Sequence, residues 1–248
     1  MKRTLTFALL GFFLLAACQS AATTTPPAST STAAPSPKPT AIPSPSPAPT
    51  AAPTATLVPA PRTFTEEFDA TLPNWASFQV NNTGLDQQIQ NGYLVFILTA
   101  PNDWVYSLYT RQDYKDVRVD ARADNRSKEP AALGIVCRYS ETDGWYEFNI
   151  YTDQTYMLLY GQGLKDGMAR YVPLYRGQSE KIRVGGEANE IGLLCQGNIL
   201  TPYINGVQMR KWEEQKFGLT NGKIGVSASA FENLPIVAGF DWVKVSEP

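Results

Sequence analysis

From Phe64 onward, apolar residues recur at every second position far more often than at the three- and four-residue spacing of a helix. The segments GYLVFIL, KDVRVDAR, AALGIVCRY, WYEFNIY, TYMLLYG, EKIRVGG, EIGLLCQ, GKIGVSAS and FDWVKV are short and rich in β-branched and aromatic residues, which predicts strands. Between them stand Asn91-Gly92, Asp143-Gly144, Asp166-Gly167, Gly197-Asn198, Asn205-Gly206 and Asn221-Gly222, residues that tolerate the positive φ of tight hairpins. About a dozen short strands without helices predict an all-β antiparallel sandwich or jelly roll.

Before Phe64 the pattern is different. Lys2 and Arg3 precede the run LTFALLGFFLLAA, which is too short to span a bilayer comfortably and ends in small residues directly before Cys18. This resembles a bacterial lipoprotein signal, which implies a signal peptide over residues 1–18 and an acylated Cys18. The mature protein would then be held at the cell membrane, facing the extracytoplasmic side, without a transmembrane helix. Residues 19–62 are predicted to be a disordered tether: residues 19–61 hold twelve prolines and one charge, Lys38. Such a stretch has nothing to bury and favours extended polyproline II, with a reach on the order of 100 Å. The folded domain is expected over residues 63–248.

Charge and composition exclude several classes. The 21 basic and 23 acidic residues become 19 and 23 once Lys2 and Arg3 are set aside, so no basic surface for nucleic acid is expected. The chain has no histidine, which removes Ser-His-Asp and Cys-His catalysis and leaves no case for a zinc enzyme. Asp103, Asp113 and Asp116 are scattered and lack the dense spacing of a calcium loop, so neither metal nor cofactor is predicted. The glycine-rich stretch from Tyr160 precedes no helix, and Trp75, Trp104 and Trp212 read as core or rim.

The densest chemistry lies in GIVCRYSETDGWYEFNI, residues 134–150, with Glu141, Asp143 and Glu147 inside seven positions. With Asp143-Gly144 as a two-residue turn, Arg138 faces Asn149 and Cys137 faces Ile150. Ile135, Cys137, Tyr139, Tyr146, Phe148 and Ile150 then form the core side. Val136, Arg138, Ser140, Trp145, Glu147, Asn149 and Tyr151 form the other side, and Glu141 and Glu147 point to opposite faces. A retaining glycosidase needs two carboxyls about 5–5.5 Å apart, so this triplet is not the expected catalytic pair. The polar face, with Arg138, Glu147 and Asn149 between Trp145 and Tyr151, suits a sugar, whose apolar face stacks on aromatic rings. It equally suits an ordinary exposed sheet face. Cys137 and Cys195 alternate with apolar neighbours and point inward; in an exported protein a disulfide between them is expected, two inert thiols being the alternative.

FTEEFD followed by a tryptophan, GIVCRY leading into WYEFNI, LLCQGNILTPYINGV, and the closing GKIGVSAS and FDWVKV resemble the concanavalin A-like lectin/glucanase superfamily, including its laminin-G-like and 3-keto-disaccharide hydrolase-like branches. The resemblance covers most of residues 64–246. It implies a concanavalin A-like jelly roll, and YEFNI is similar to a strand that lines the concave face in the hydrolase-like branch. Glucanases of the superfamily carry ExDxE or ExDxxE on one strand, which ETDGWYE does not match. The expected function is a non-catalytic, carbohydrate-binding surface domain whose partner is a glycan or another cell-surface polymer. The alternatives are a glycoside hydrolase using Glu147 with Asp241, and a structural or protein-binding module.

Overall fold

In the computed structural model, which describes residues 60–163 and 167–248, the chain forms sixteen strands in two antiparallel sheets and, among the described residues, no helix. The expected signal peptide, Cys18 and nearly all of the expected tether lie outside the described residues. The first sheet has the path β13 (Val207–Gln208), β12 (Ile199–Ile204), β11 (Asn189–Gln196), β6 (Val117–Asn125), β16 (Ile236–Ser246), β4 (Tyr93–Leu98) and β3 (Asp86–Gln90). Two short strands, β1 (Phe64–Glu66) and β14 (Trp212–Glu213), pair with β16 and β12. The second sheet has the order β10 (Ala169–Gln178), β9 (Thr155–Gly163), β8 (Gly144–Tyr151), β7 (Ala131–Ser140), β15 (Gly222–Ala230), β5 (Asp103–Tyr114) and β2 (Trp75–Val80).

Period-two patterning sorts the side chains as expected. Val117, Val119, Ala121 and Ala123 of β6 face Ile135, Cys137, Phe148 and Leu158 of the second sheet in one core. Cys137 and Cys195 form the predicted disulfide, joining β7 to β11 across the two sheets. The Asn91-Gly92 and Asn205-Gly206 turns close two-residue hairpins with both residues at positive φ, the geometry that matches strand twist.

Two sequence expectations fail. EKIRVGG is not a strand: only Ile182 is buried, and the Asn189 side chain takes up the backbone of Arg183, accepting from its N–H at 2.9 Å and donating to its carbonyl at 3.0 Å. The β7–β8 turn is also longer than two residues. Ser140 pairs with Gly144, and the Ser140 hydroxyl accepts from the Asp143 backbone N–H and donates to its carboxylate, which stabilises the three-residue loop. Cys137 therefore pairs with Tyr146, not Ile150, and the ladder carries a bulge between Cys137 and Ser140.

Candidate functional site

The bulge rearranges the predicted site. Up to Cys137 the register moves by an even number of positions, so Val136, Trp145, Glu147 and Asn149 share the outer face as expected. At Arg138 the backbone turns left-handed, with φ of 53°. Its side chain leaves that face, and Tyr139 takes the place beside Trp145, their ring centroids 5.4 Å apart. Arg138 is instead buried at the disulfide end, donating to the carbonyls of Lys115 and Leu219 and pairing with Asp116 at 3.3 Å. It fastens three segments and belongs to no site with Glu147.

The outer face is not an open groove. Trp145, Glu147 and Asn149, expected to be solvent-facing, are each 2 % exposed or less. The second sheet curls until its flanks meet: Trp104 on β5 and Tyr171 on β10 are 5.1 Å apart, and the Asn81 N–H after β2 donates to the Gly167 carbonyl before β10 at 3.3 Å. Val80, Tyr106, Leu108, Val136 and Trp145 form a second apolar cluster beneath this contact, with Phe78, Trp104, Tyr139 and Tyr171 packed against it. Gly161 permits it, since a Cβ there would strike the Trp145 indole.

Glu147 sits at the centre of that cluster. Its carboxylate accepts from the Trp145 indole N–H at 2.9 Å, the Tyr106 hydroxyl at 3.0 Å and the Ser227 hydroxyl at 2.7 Å. Burial, and then the charge of Glu147, holds the Tyr106 phenol well above the ordinary tyrosine range, so it stays a donor. The other carboxylates on the strands of this sheet, Asp103 and Asp113, lie on β5 and are engaged elsewhere, Asp103 by Gln79 and Asp113 by Lys223. Asp241, its proposed catalytic partner, lies on β16 of the other sheet and pairs with Arg122 at 3.1 Å. The two do not form a catalytic pair.

One open volume lies at the end of the sandwich opposite Arg138. A cavity of about 630 Å³, within the range of about 300–1,000 Å³ common for ligand sites, is lined by Tyr151, Phe231, Lys128, Asp153, Gly185 and Gly186 among others. Tyr151 and Phe231 stack at 6.0 Å and 23°. Three loops build the walls, each braced by a side chain. Asn125 accepts from Ser127 and donates to the Glu129 carbonyl, Asn189 holds the loop that contains Gly185, and Gln154 donates to the Ile182 carbonyl. At Gly186, with φ of 87°, a Cβ would crowd the Asn125 carbonyl. Burial and then Glu147 push the Tyr151 phenol up, while hydrogen bonds from Thr155 hold Asp153 below the usual carboxylate range. The cavity thus offers a ring surface, a neutral hydroxyl, an anion and a cation. Of the predicted ligand residues only Tyr151 lies there; Asn125 and Ala131 line it from the ends of β6 and β7, and loops supply most of the rest.

No family model and no curated protein matches the chain. Solved structures do. A prokaryotic β-1,3-1,4-glucanase (lichenase) derived from a mouse hindgut metagenome shares 13% identity over 75% of this chain and 99% of its own, with a TM-score of 0.55. A Bacteroides ovatus mixed-linkage glucan GH16 in complex with its G4G4G3G product shares 12% over 74% and 99%, at 0.53. A Bacillus subtilis protein of unknown function with a galectin-like fold shares 12% over 74% and 94%, at 0.55. At these identities the likeness is one of fold: the domain is a concanavalin A-like jelly roll.

Proposed function

We propose that the protein is a lipid-anchored surface protein whose jelly-roll domain binds glycan without cleaving it, in the cavity beside Tyr151. The observation that carries this reading is the cavity itself, where braced loops present the Tyr151–Phe231 ring pair next to Asp153 and Lys128. Rings stack on the apolar face of a sugar, and the charged groups pair with its hydroxyls. The glucanases of like fold act on glucans, and the Bacteroides ovatus one holds a glucan product, which supports a glycan as ligand class. Cleavage is not proposed, because the oxygens of Glu147 are taken by three donors and Asp241 lies on the other sheet.

The closed concave face favours a second reading, a structural or protein-binding surface module. A glycan array on the purified protein, followed by calorimetry on Tyr151→Ala and Asp153→Asn, separates the two. The first reading expects glycan binding that falls at least tenfold in both variants, and an absence of binding to any glycan abandons it. Cys18→Ser is expected to release the protein from membranes; unchanged retention would remove the lipid anchor from the proposal.

A further inference from the structure

Arg138 lies on the wall of another cavity. At the disulfide end a space of about 180 Å³ is bounded by Arg138, Asp116, Tyr146, Glu214 and Leu219. Gly197 and Gly218 flank it at positive φ, and a Cβ on either would meet no neighbouring atom, so neither closes its rim. The Arg138 side chain is 2 % exposed, and its three acceptors, the carbonyls of Lys115 and Leu219 and the Asp116 carboxylate, belong to residues of the same wall. A guanidinium has five N–H donors. Three are spent here, and the other two have no partner among the described residues. Only one of the three acceptors is charged, and it stands at 3.3 Å. A buried cation so sparsely paired is costly, and a carboxylate held by two parallel N–H bonds would complete it.

The two acids on the wall decide what can carry that carboxylate. Glu214 is closed to a ligand, because its oxygens accept from Tyr146 and from the backbone N–H groups of Lys216, Phe217 and Gly218. Asp116 is open. Its Oδ1 accepts from Arg138 and from the Gly197 N–H at 2.8 Å, whereas its Oδ2 has no partner among the described residues and the side chain is 37 % exposed. A bare anion would meet both acids at close range and be repelled. A molecule that carries an ammonium beside its carboxylate meets Asp116 with the opposite charge. The 3.3 Å from Arg138 to Asp116 is about the distance between the two groups on one α carbon. Tyr146 and Leu219 add apolar wall for a side chain. The space is smaller than the roughly 300–1,000 Å³ of drug-sized ligand sites, which limits it to one small molecule. We propose that this cavity binds a free α-amino acid with an aliphatic side chain, its carboxylate on Arg138 and its ammonium on Asp116. The site is separate from the Tyr151 cavity and does not rest on the glycan reading.

The test titrates the purified full chain with L-leucine by calorimetry and follows the Arg138 Nε–H signal by nitrogen-15 NMR. Leucine is expected to bind and to shift that signal. N-acetyl-leucine and leucine amide each lack one of the two charges and are expected to bind about tenfold more weakly or worse. Asp116→Asn keeps an acceptor for the Gly197 N–H but drops the charge, and is expected to lose about tenfold or more in leucine affinity. Should that variant not fold, the two blocked ligands on the unmodified chain still decide. A chain that binds no leucine overturns the site. N-acetyl-leucine bound as tightly as leucine makes it a plain anion site and overturns the proposal, as does leucine affinity unchanged in a folded Asp116→Asn. Glucose that shifts the Arg138 signal where leucine does not makes it a sugar site and overturns it too.

Discussion

Trp104 and Tyr171 meet at 5.1 Å although their strands, β5 and β10, are separated in the sheet by four others. Such a contact requires the sheet to curl onto its own outer face, which turns a surface into a second core. Glu147 lies beneath that closure, and Tyr106 links it to Tyr171, their hydroxyls 2.9 Å apart.

This gives Glu147 a structural signature that a solvent-facing catalytic acid would not have. Glu147→Gln keeps one acceptor oxygen but sets an amide against groups that donate, and is expected to cost about 1–3 kcal/mol. Glu147→Leu strands the Trp145 and Ser227 donors and should cost more. Denaturant melts check both. A Glu147→Gln protein as stable as the parent would mean that the face opens to water.

The same packing makes Gly161 intolerant of a side chain. Gly161→Ala drives a methyl into the Trp145 indole, and overpacking of this kind costs about 1–3 kcal/mol. A red shift in Trp fluorescence is expected with the loss of stability, as the indole is displaced toward water.

The Cys137–Cys195 bond closes a loop with a sequence separation of 58 residues. Loop-closure entropy puts its contribution at about 4 kcal/mol. The double Cys→Ala variant is expected to lose roughly that much in denaturant titration. A loss under about 1 kcal/mol would show that the Arg138 clamp holds this end of the sandwich without the bond.

How far the sequence could be read follows from where its signals are local. Alternation identified β6, β7, β8, β11 and β15, because each sends every second residue into a shared core. β10 was missed because ARYVPLYRGQ carries Pro173 and a bulge, which an edge strand tolerates and a pattern search rejects. The inward cysteines and the face shared by Trp145, Glu147 and Asn149 were legible from parity alone. Arg138 was misplaced because one left-handed residue undoes parity, and nothing in CRYSETDG announces it. The burial of Trp145 was illegible for another reason: it depends on Trp104 and Tyr171, which come together only when the sheet curls. The end cavity is made mostly by three separate loops; Tyr151 and Ala131 sit at the ends of predicted strands, and Gly185 and Gly186 close EKIRVGG, which was expected to be a strand and is a loop.

Glu214 supplies a test in acid. Burial alone would push its carboxyl up, but hydrogen bonds from Tyr146 at 2.6 Å and from the backbone N–H groups of Gly218, Phe217 and Lys216 outweigh that and hold it below the usual glutamate range. A carboxyl depressed in the folded state adds stability that is fully present above its unfolded pKa and lost as pH falls through the folded value. The melting temperature is therefore expected to drop on acidification below the ordinary glutamate range, and Glu214→Gln to flatten that slope while lowering stability at neutral pH. The Tyr146 phenol is shifted the opposite way, upward, by burial and then by Glu214. Its stabilisation holds below the ordinary tyrosine range and fades as pH rises above it, so Tyr146→Phe should weaken the alkaline limb and leave a Glu214 with three backbone donors. If the acid slopes of the parent and Glu214→Gln coincide, the carboxyl does not hold the Lys216–Gly218 turn in the ionised form that its donors imply.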